Sequence, residues 1–340
     1  MQLAPLPPDP WRIDVVVVRN GSHTSTERSA LRRGVEAGEL LRIGHGLLVD
    51  AADFTSLDPE AQHVVRMRAI AAGSSRPVVF SHASAAVVHG LPVLRQRLRT
   101  VHTTVARLGD RSTAGVTGHV FALLEQEVVE VHGLLVTTPA RTVVDVAGSR
   151  PFEEGVITAD GALRAGLLRS ELRSAADLAG PRQAATRILD VIAFAHPGAE
   201  SAAESRFRTT AMRLGLEVPV LQYRVVRADG SEAFIDGVFP IARAAVEVDG
   251  DRKYLDPALA PDGAAAALLL EKRRQDEVQS HFARLVRIGW VQSGSAALLG
   301  PVLARVGVLP QRPRPGLAAY AAAAALAGPR LHLGRPLLRS

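Results

Sequence analysis

The chain has 340 residues, 47% of them hydrophobic and 22% charged, a globular balance long enough for two or three domains. It contains no cysteine, which excludes disulfide scaffolds, thiolate zinc sites and cysteine nucleophiles. The net charge of +6 belongs to the last stretch: residues 301–340 carry Arg305, Arg312, Arg314, Arg330, Arg335 and Arg339 and no acid, leaving 34 basic against 34 acidic residues in 1–300. The charge is therefore no sign of a body that binds nucleic acid throughout. Only Lys253 and Lys272 are lysine, which fits a compositional bias that also enriches alanine, glycine and valine. The opening MQLAPLPPDPW has neither a basic n-region nor an apolar h-region. The longest apolar run, Leu317 to Ala327, is too short to span a bilayer. A cytoplasmic protein with no membrane contact is expected.

Up to about Leu57, a short apolar run (Ile13 to Val18) precedes Thr24 and Ser25, either of which can cap a helix over about Glu27–Ala37 ended by Gly38. The segment Leu40 to Val49 then reads as a hairpin turning at Gly44 and Gly46. A helix followed by such a hairpin is the recognition-helix-and-wing half of a winged helix, with the front truncated. Arg28, Arg32, Arg33 and Arg42 would meet DNA phosphates there, although any helix–hairpin pair with solvated arginines looks alike.

The stretch 58–196 reads as mixed α and β. Helices are expected over 60–72, 83–89, 152–164, 168–176 and 184–195, with strands near 78–80, 99–105, 117–122, 128–132 and 134–137. Pro139 in its first turn marks a further helix start at Thr138. His82 and His89 lie seven apart with no carboxylate at matching spacing, so packed or solvated histidines are expected rather than a metal pair. The segment Phe80-Ser81-His82-Ala83-Ser84-Ala85-Ala86-Val87-Val88-His89-Gly90-Leu91-Pro92 resembles the "SHxSAAxLHGLP" element of AbiEi-type antitoxins. The later Gly133-Leu134-Leu135-Val136-Thr137-Thr138-Pro139-Ala140-Arg141-Thr142-Val143-Val144-Asp145 is similar to their "GLPVTSPARTLVDLA" element. That resemblance, over about 20–175, implies a winged-helix transcriptional regulator of an abortive-infection toxin–antitoxin operon, with DNA and a cognate toxin as partners.

Residues 198–300 carry the chemistry. Ser201 opens a helix bearing Glu204 and closed by Gly215. Strands follow over Val220–Arg227, Glu232–Phe239 and Ala244–Asp249, the first two joined by a turn at Asp229-Gly230. A helix over about Ala264–Arg284 leads to a last strand, Leu285 to Trp290. Asp236 sits inside an apolar strand, where an unpartnered carboxylate is costly. Glu247 and Asp249, two apart, share one face of the next strand. Three carboxylates on one patch are tolerated mainly with a divalent cation, magnesium or manganese, which would also acidify a bound water. Lys253 is near enough in sequence to steady that water or a phosphate.

The order helix–Glu, strand–Asp, strand–Glu-x-Asp-Gly, helix, strand resembles the PD-(D/E)xK nuclease core, and more narrowly a very-short-patch-repair-like domain found behind AbiEi-type N-termini in actinobacteria. By that resemblance Asp236 and Glu247 bind metal, Asp249 completes or flanks the site, and Glu204 assists. The chain departs from the pattern in having Asp249 where the core has lysine two residues after its second acid. It also has Lys253 and Tyr254 where the narrower domain often has histidine. Structural alternatives stand beside these roles. Ser201 with Glu204 makes a capping box, and Asp249-Gly250 makes an Asx turn. Lys272 and Arg273 belong either to a solvated helix face or to a phosphate contact.

The expected protein is thus α+β and multidomain: a degenerate winged-helix-like segment (1–57), an AbiEi-like middle domain (58–196), a restriction-endonuclease-like α/β core (197–300) and a loose basic Pro/Ala/Arg-rich tail (301–340) in which Leu317 to Ala327 reads as a lone helix. The expected function is metal-dependent phosphodiester hydrolysis on DNA in repair, defence or mobile-element biology. The alternative is a non-catalytic DNA-binding regulator or antitoxin.

Overall fold

The computed structural model describes residues 9–18, 23–107, 112–113, 115–180, 183–226, 230–249, 282 and 284–326. They form a mixed α/β protein with three sheets, divided into two compact units. Among the described residues, one holds the chain to Arg150 together with Glu171–Gln183, the other Pro151–Ser170 and the chain from Ala184 to Leu326. No helix among the described residues is long and apolar enough to cross a membrane.

The first unit opens with strand β1 (Val15–Val17), helix α1 (Ser25–Glu36) and strands β2 (Leu40–Gly44) and β3 (Leu47–Asp50), in a sheet of order β1-β3-β2, antiparallel throughout. Thr24 caps α1 with a reciprocal bond to Glu27, and Gly46 takes φ 66° in the hairpin turn. Helices α2 (Ala51–Ser56) and α3 (Pro59–Gly73) follow, and Phe54, Leu57 and Val65 close a small core with Ile13 and Val49.

Strand β4 (Val79–Phe80), helix α4 (His82–Val88) and strands β5 (Val101–Val105), β6 (Ser112–Thr113), β7 (Val116–Val120), β8 (Val128–Val131) and β9 (Leu134–Thr137) come next. Together the strands make a mixed six-stranded sheet of order β6-β7-β5-β4-β9-β8. Helix α5 (Pro139–Ser149) begins on the Thr138 cap with proline in its first turn. Met67, Phe80, Ala85, Val101 and Val136 form the core under this sheet. The unit also takes in most of helix α7 (Arg169–Leu178).

The second unit contains helices α6 (Phe152–Arg164), α8 (Ala185–Phe194) and α9 (Ala202–Leu214), and strands β10 (Val220–Val226), β11 (Glu232–Phe239), β12 (Ala244–Val248) and β13 (Arg284–Ile288). The sheet runs β10-β11-β12-β13, antiparallel except for the parallel β12/β13 pair. Ser201 caps α9, and Gly215 ends it at φ 69°. Gly237 lets α9 lie close on the sheet, because a Cβ there would stand 3.0 Å from the Phe207 ring. Asp160 of α6 accepts from Arg208 (2.9 Å) and Ser205 (2.8 Å) of α9, so α6 and α9 are tied by a buried ion pair.

These units divide the chain differently from the four expected segments: α6 and α8 join the C-terminal sheet rather than the middle stretch. The tail expected to be loose from 301 on is folded as far as Leu326, and the lone helix expected at Leu317–Ala327 stands there as Leu317–Leu326. Helices α10 (Trp290–Ser293), α11 (Ala296–Arg305) and α12 (Leu317–Leu326) continue the second unit. Tyr320 is 1% exposed, stacks on Phe194 at 5.4 Å, and donates its hydroxyl to the Glu217 carbonyl at 3.3 Å. The alanines that looked like compositional drift give α12 a thin face that carries a single large anchor. The last strand also ends earlier than expected, at Ile288, since Trp290 begins α10. The expected helix over 264–284 and the turn at Asp229 lie outside the described residues, save that Arg284 is in β13.

Candidate functional site

Four of the site residues stand in one row across the second unit's sheet. Gln222 of β10 lies opposite Asp236 of β11, between the paired Leu221↔Gly237 and Tyr223↔Ile235. Glu247 of β12 lies one step beyond the pair Gly237↔Val246, and it is paired in register with Arg287 of β13. The first turn of α9 brings Glu204 to this row. Glu204 is 5% exposed and receives the Ser201 hydroxyl (2.7 Å) and the Glu200 N–H (2.9 Å) on its two oxygens.

The amide of Gln222 joins the two acids, its Nε2 lying 3.3 Å from Glu204 Oε2 and 3.4 Å from Asp236 Oδ1. The other Asp236 oxygen accepts the Val248 N–H at 2.7 Å. Burial pushes the Glu204 carboxyl up to about 7, with the negative charge of Asp236 adding to it. Glu247 is drawn instead to Arg287, 2.6 Å away, and both are partly exposed. Asp249 donates its N–H to the Ile288 carbonyl at 2.9 Å and so extends the β12/β13 ladder.

Glu204 and Asp236 are thus brought together through Gln222, while Glu247 stands across the ladder from Asp236 by register and is held by Arg287, with Asp249 two residues on. Lys253, Lys272 and Arg273 lie outside the described residues. Arg28, Arg32 and Arg33 on α1 and Arg42 on β2 are all exposed, Arg32 within 3.6 Å of Glu36. Two residues escaped the sequence reading. Gln222 carries the same signal as Asp236, a polar side chain inside an apolar strand. Arg287 needs the parallel register of β13 on β12, which no local pattern announces.

Among the described residues no three such side chains converge closely enough to hold a metal ion as they stand. Arg287 holds Glu247, and the nitrogen end of Gln222 lies between the other two acids. The donor chemistry still fits a hard divalent cation, since every group in the row other than Arg287 offers oxygen.

The first unit holds a second polar cluster, built where the sequence blocks 80–92 and 133–145 meet. His82 and His89 are packed, as expected. The His89 Nε2–H donates to the Thr137 carbonyl at 2.7 Å, tying the first block to the second. Arg141 is 1% exposed and lies between Glu127 and Asp145, bonding the latter at 2.9 Å. Around His102 the network fixes each tautomer. Arg150 can only donate, so His102 Nε2 accepts from it (3.1 Å) and Nδ1–H donates to His119 Nε2 (3.0 Å). The His102 N–H donates to Ser84 Oγ (2.7 Å), whose hydroxyl donates to His63 Nε2 (2.8 Å), and His63 Nδ1–H donates to the Leu98 carbonyl (2.9 Å). Burial, with Arg150 beside it, holds His102 down to about 3, and burial holds His63 down to about 4.

The fold and site define a mixed α/β, multi-sheet protein with a cluster of acids at one sheet. No protein-family model matches the chain. The chain is similar to two uncharacterised proteins of Mycobacterium tuberculosis, from strains H37Rv and CDC 1551. Each is 27% identical over 266 residues, covering 77% of this chain and 88% of the relative.

Proposed function

We propose that the chain is a DNA-associated protein whose second unit is a PD-(D/E)xK-type nuclease module, with an AbiEi-like first unit that engages DNA or a partner protein. The observation that carries this reading is the burial of Glu204 beside Asp236, joined through Gln222, with Glu247 in register on the next strand, in the helix–strand–strand order of that core. Folded proteins keep like charges together at cost, and chiefly where a cation or a reaction uses them. Magnesium or manganese would be held by Asp236 and Glu247, with Glu204 and Asp249 flanking. Once bound, it would supply an acidified water and charge stabilisation at a phosphodiester. Opening the site requires Glu247 to leave Arg287. The order of strands and helix in β1-α1-β2-β3, with exposed Arg28, Arg32, Arg33 and Arg42, supports a winged-helix-like DNA contact in the first unit.

The test is incubation of supercoiled plasmid with the full chain and magnesium or manganese. Nicked or linear product from the wild type, abolished in Asp236→Asn, is the expected result. A gel shift without cleavage under any metal would favour the second reading, a non-catalytic regulator or antitoxin acting with a cognate toxin. The Arg287–Glu247 pair favours that reading, because it neutralises one acid without any metal.

A further inference from the structure

The stretch 284–326 carries Arg284, Arg287, Arg305, Arg312 and Arg314 and no acid, and it is folded into the second unit. Glu247 holds Arg287; the other four are exposed, and so is Arg213 in the last turn of α9. Carbonyl bonds place these side chains around the packed ends of α9, α10 and α11. Arg314 donates to the Arg213 carbonyl (3.0 Å), and Arg213 donates to the Gly294 carbonyl (3.1 Å) and to Thr210 Oγ1 (2.8 Å). Arg284 donates to the Val306 carbonyl at 3.2 Å, next in the chain to Arg305. A Cβ on Gly300 would stand 3.7 Å from Leu214, so the end of α9 meets the middle of α11.

Each of these bonds goes to a neutral acceptor, so it orders a guanidinium without cancelling its charge. Closing the last turns of three helices accounts for one nitrogen of each fork, and the Arg213 side chain stays 52% exposed. Among the ion pairs of the described residues, Glu153 is the acid that reaches this group. It lies 3.6 Å from Arg213 and is bound more closely by Arg206, at 2.9 Å. Five exposed arginines thus share one acid. Arg206 and Arg213, seven apart, lie on one face of α9, whereas Glu204, nine before Arg213, lies half a turn away on the opposite face. The arginine surface is therefore separate from the carboxylate row.

We propose that this surface of the second unit docks the phosphate backbone of duplex DNA, as a contact additional to the one on α1. It goes beyond the nuclease reading and does not rest on it. A DNA strand offers one charge about every 3.4 Å of helix axis, so guanidiniums held at separate points over three helix ends each meet a phosphate of their own. The fork of each matches two phosphate oxygens. A small anion would engage one or two of the five and leave the rest unused. An acidic polypeptide is the competing occupant, and it lacks the fixed charge spacing of the duplex.

The test is binding of a fluorescein-labelled random-sequence duplex to the full chain, followed by anisotropy in EDTA between about 50 and 200 mM salt. A variant combining Arg213→Gln, Arg305→Gln, Arg312→Gln and Arg314→Gln keeps donors for the carbonyl bonds and removes four charges. The slope of log K against log salt is expected to fall by about 3–4, and affinity by at least about tenfold. Lysine at the same four positions should restore most of the slope, because it restores charge. Arg305→Gln with Arg312→Gln leaves every carbonyl bond in place and should lower the slope by about 2, which decides the matter should the fourfold variant fail to fold. An unchanged slope in a folded variant, or no duplex binding by the wild type at about 50 mM salt, overturns the proposal. Equally tight binding of poly-glutamate of matched charge overturns it in favour of an acidic protein partner. Metal and cleavage enter neither readout, so an inactive carboxylate site leaves the proposal standing, and an active one with an unchanged slope sinks the proposal alone.

Discussion

The Arg141 cluster of the first unit and the Glu204 cluster of the second bury titratable groups in opposite ways, although the second unit also holds the paired Asp160 and Arg208. In the first, the buried charges among the described residues have opposite partners: Arg141 lies between Glu127 and Asp145. Its buried His63 and His102 are locked neutral by a one-way chain of hydrogen bonds. In the second unit, Glu204 and Asp236 carry the same sign and share one amide. A cluster satisfied from within specifies packing, and a cluster left with an electrostatic debt marks a place for a ligand. The sequence blocks 80–92 and 133–145 are, on this comparison, the structural seam of the first unit, and the unbalanced cluster lies in the second.

The largest test of that contrast is Arg141→Leu, which strands Glu127 and Asp145 in the core. A loss of about 3–5 kcal/mol in urea unfolding is expected; a loss below about 1 kcal/mol would mean that the triad is not the anchor of the seam. Next come the opposite pH slopes. A buried histidine whose folded pKa is depressed binds its proton only in the unfolded chain, so it takes stability away as pH falls. For His63 the window runs from 6.5 down to about 4, on the order of 3 kcal/mol. Acid unfolding by circular dichroism should shift to lower pH in His63→Gln, which cannot be protonated.

Glu204 works in the other direction. Its folded pKa is raised, so its contribution is present below 4.5 and is lost as pH rises through about 7. Glu204→Gln should therefore gain roughly 1–3 kcal/mol over the wild type at pH 8 without metal, and the two should converge at pH 4. Equal stability at both pH values would remove the electrostatic debt and with it the contrast. The smallest effect is expected from Arg287→Ala. Its pair with Glu247 is partly exposed, so melting should move by less than about 1 kcal/mol, while manganese affinity rises as Glu247 is freed.

Most of the element order was legible from apolar periodicity and end signals. Thr24, Thr138, Ser201 and Gly215 each cap a helix where their chemistry indicates. Asp236 was legible because an acid between Ile235 and Gly237 in a strand has to be explained. What stayed hidden depends on partners distant in sequence. The pairing of Glu247 with Arg287 arises from a parallel crossover, and the histidine network joins residues from His63 to Arg150. Helix α12 was legible as a lone helix, but alanine-rich composition carries no periodicity to say which face is buried, and only Tyr320 shows it. The kink at Gln222, where φ is 49°, has no glycine to announce it.

The most direct measurement is calorimetric titration of magnesium and manganese into the full chain at pH 8, beside Asp236→Asn. Saturable binding by the wild type, absent in a variant that melts at the same temperature or higher, is the predicted result. No binding by the wild type at millimolar metal, with the fold intact by circular dichroism, would contradict the claim that the second unit holds a cation site.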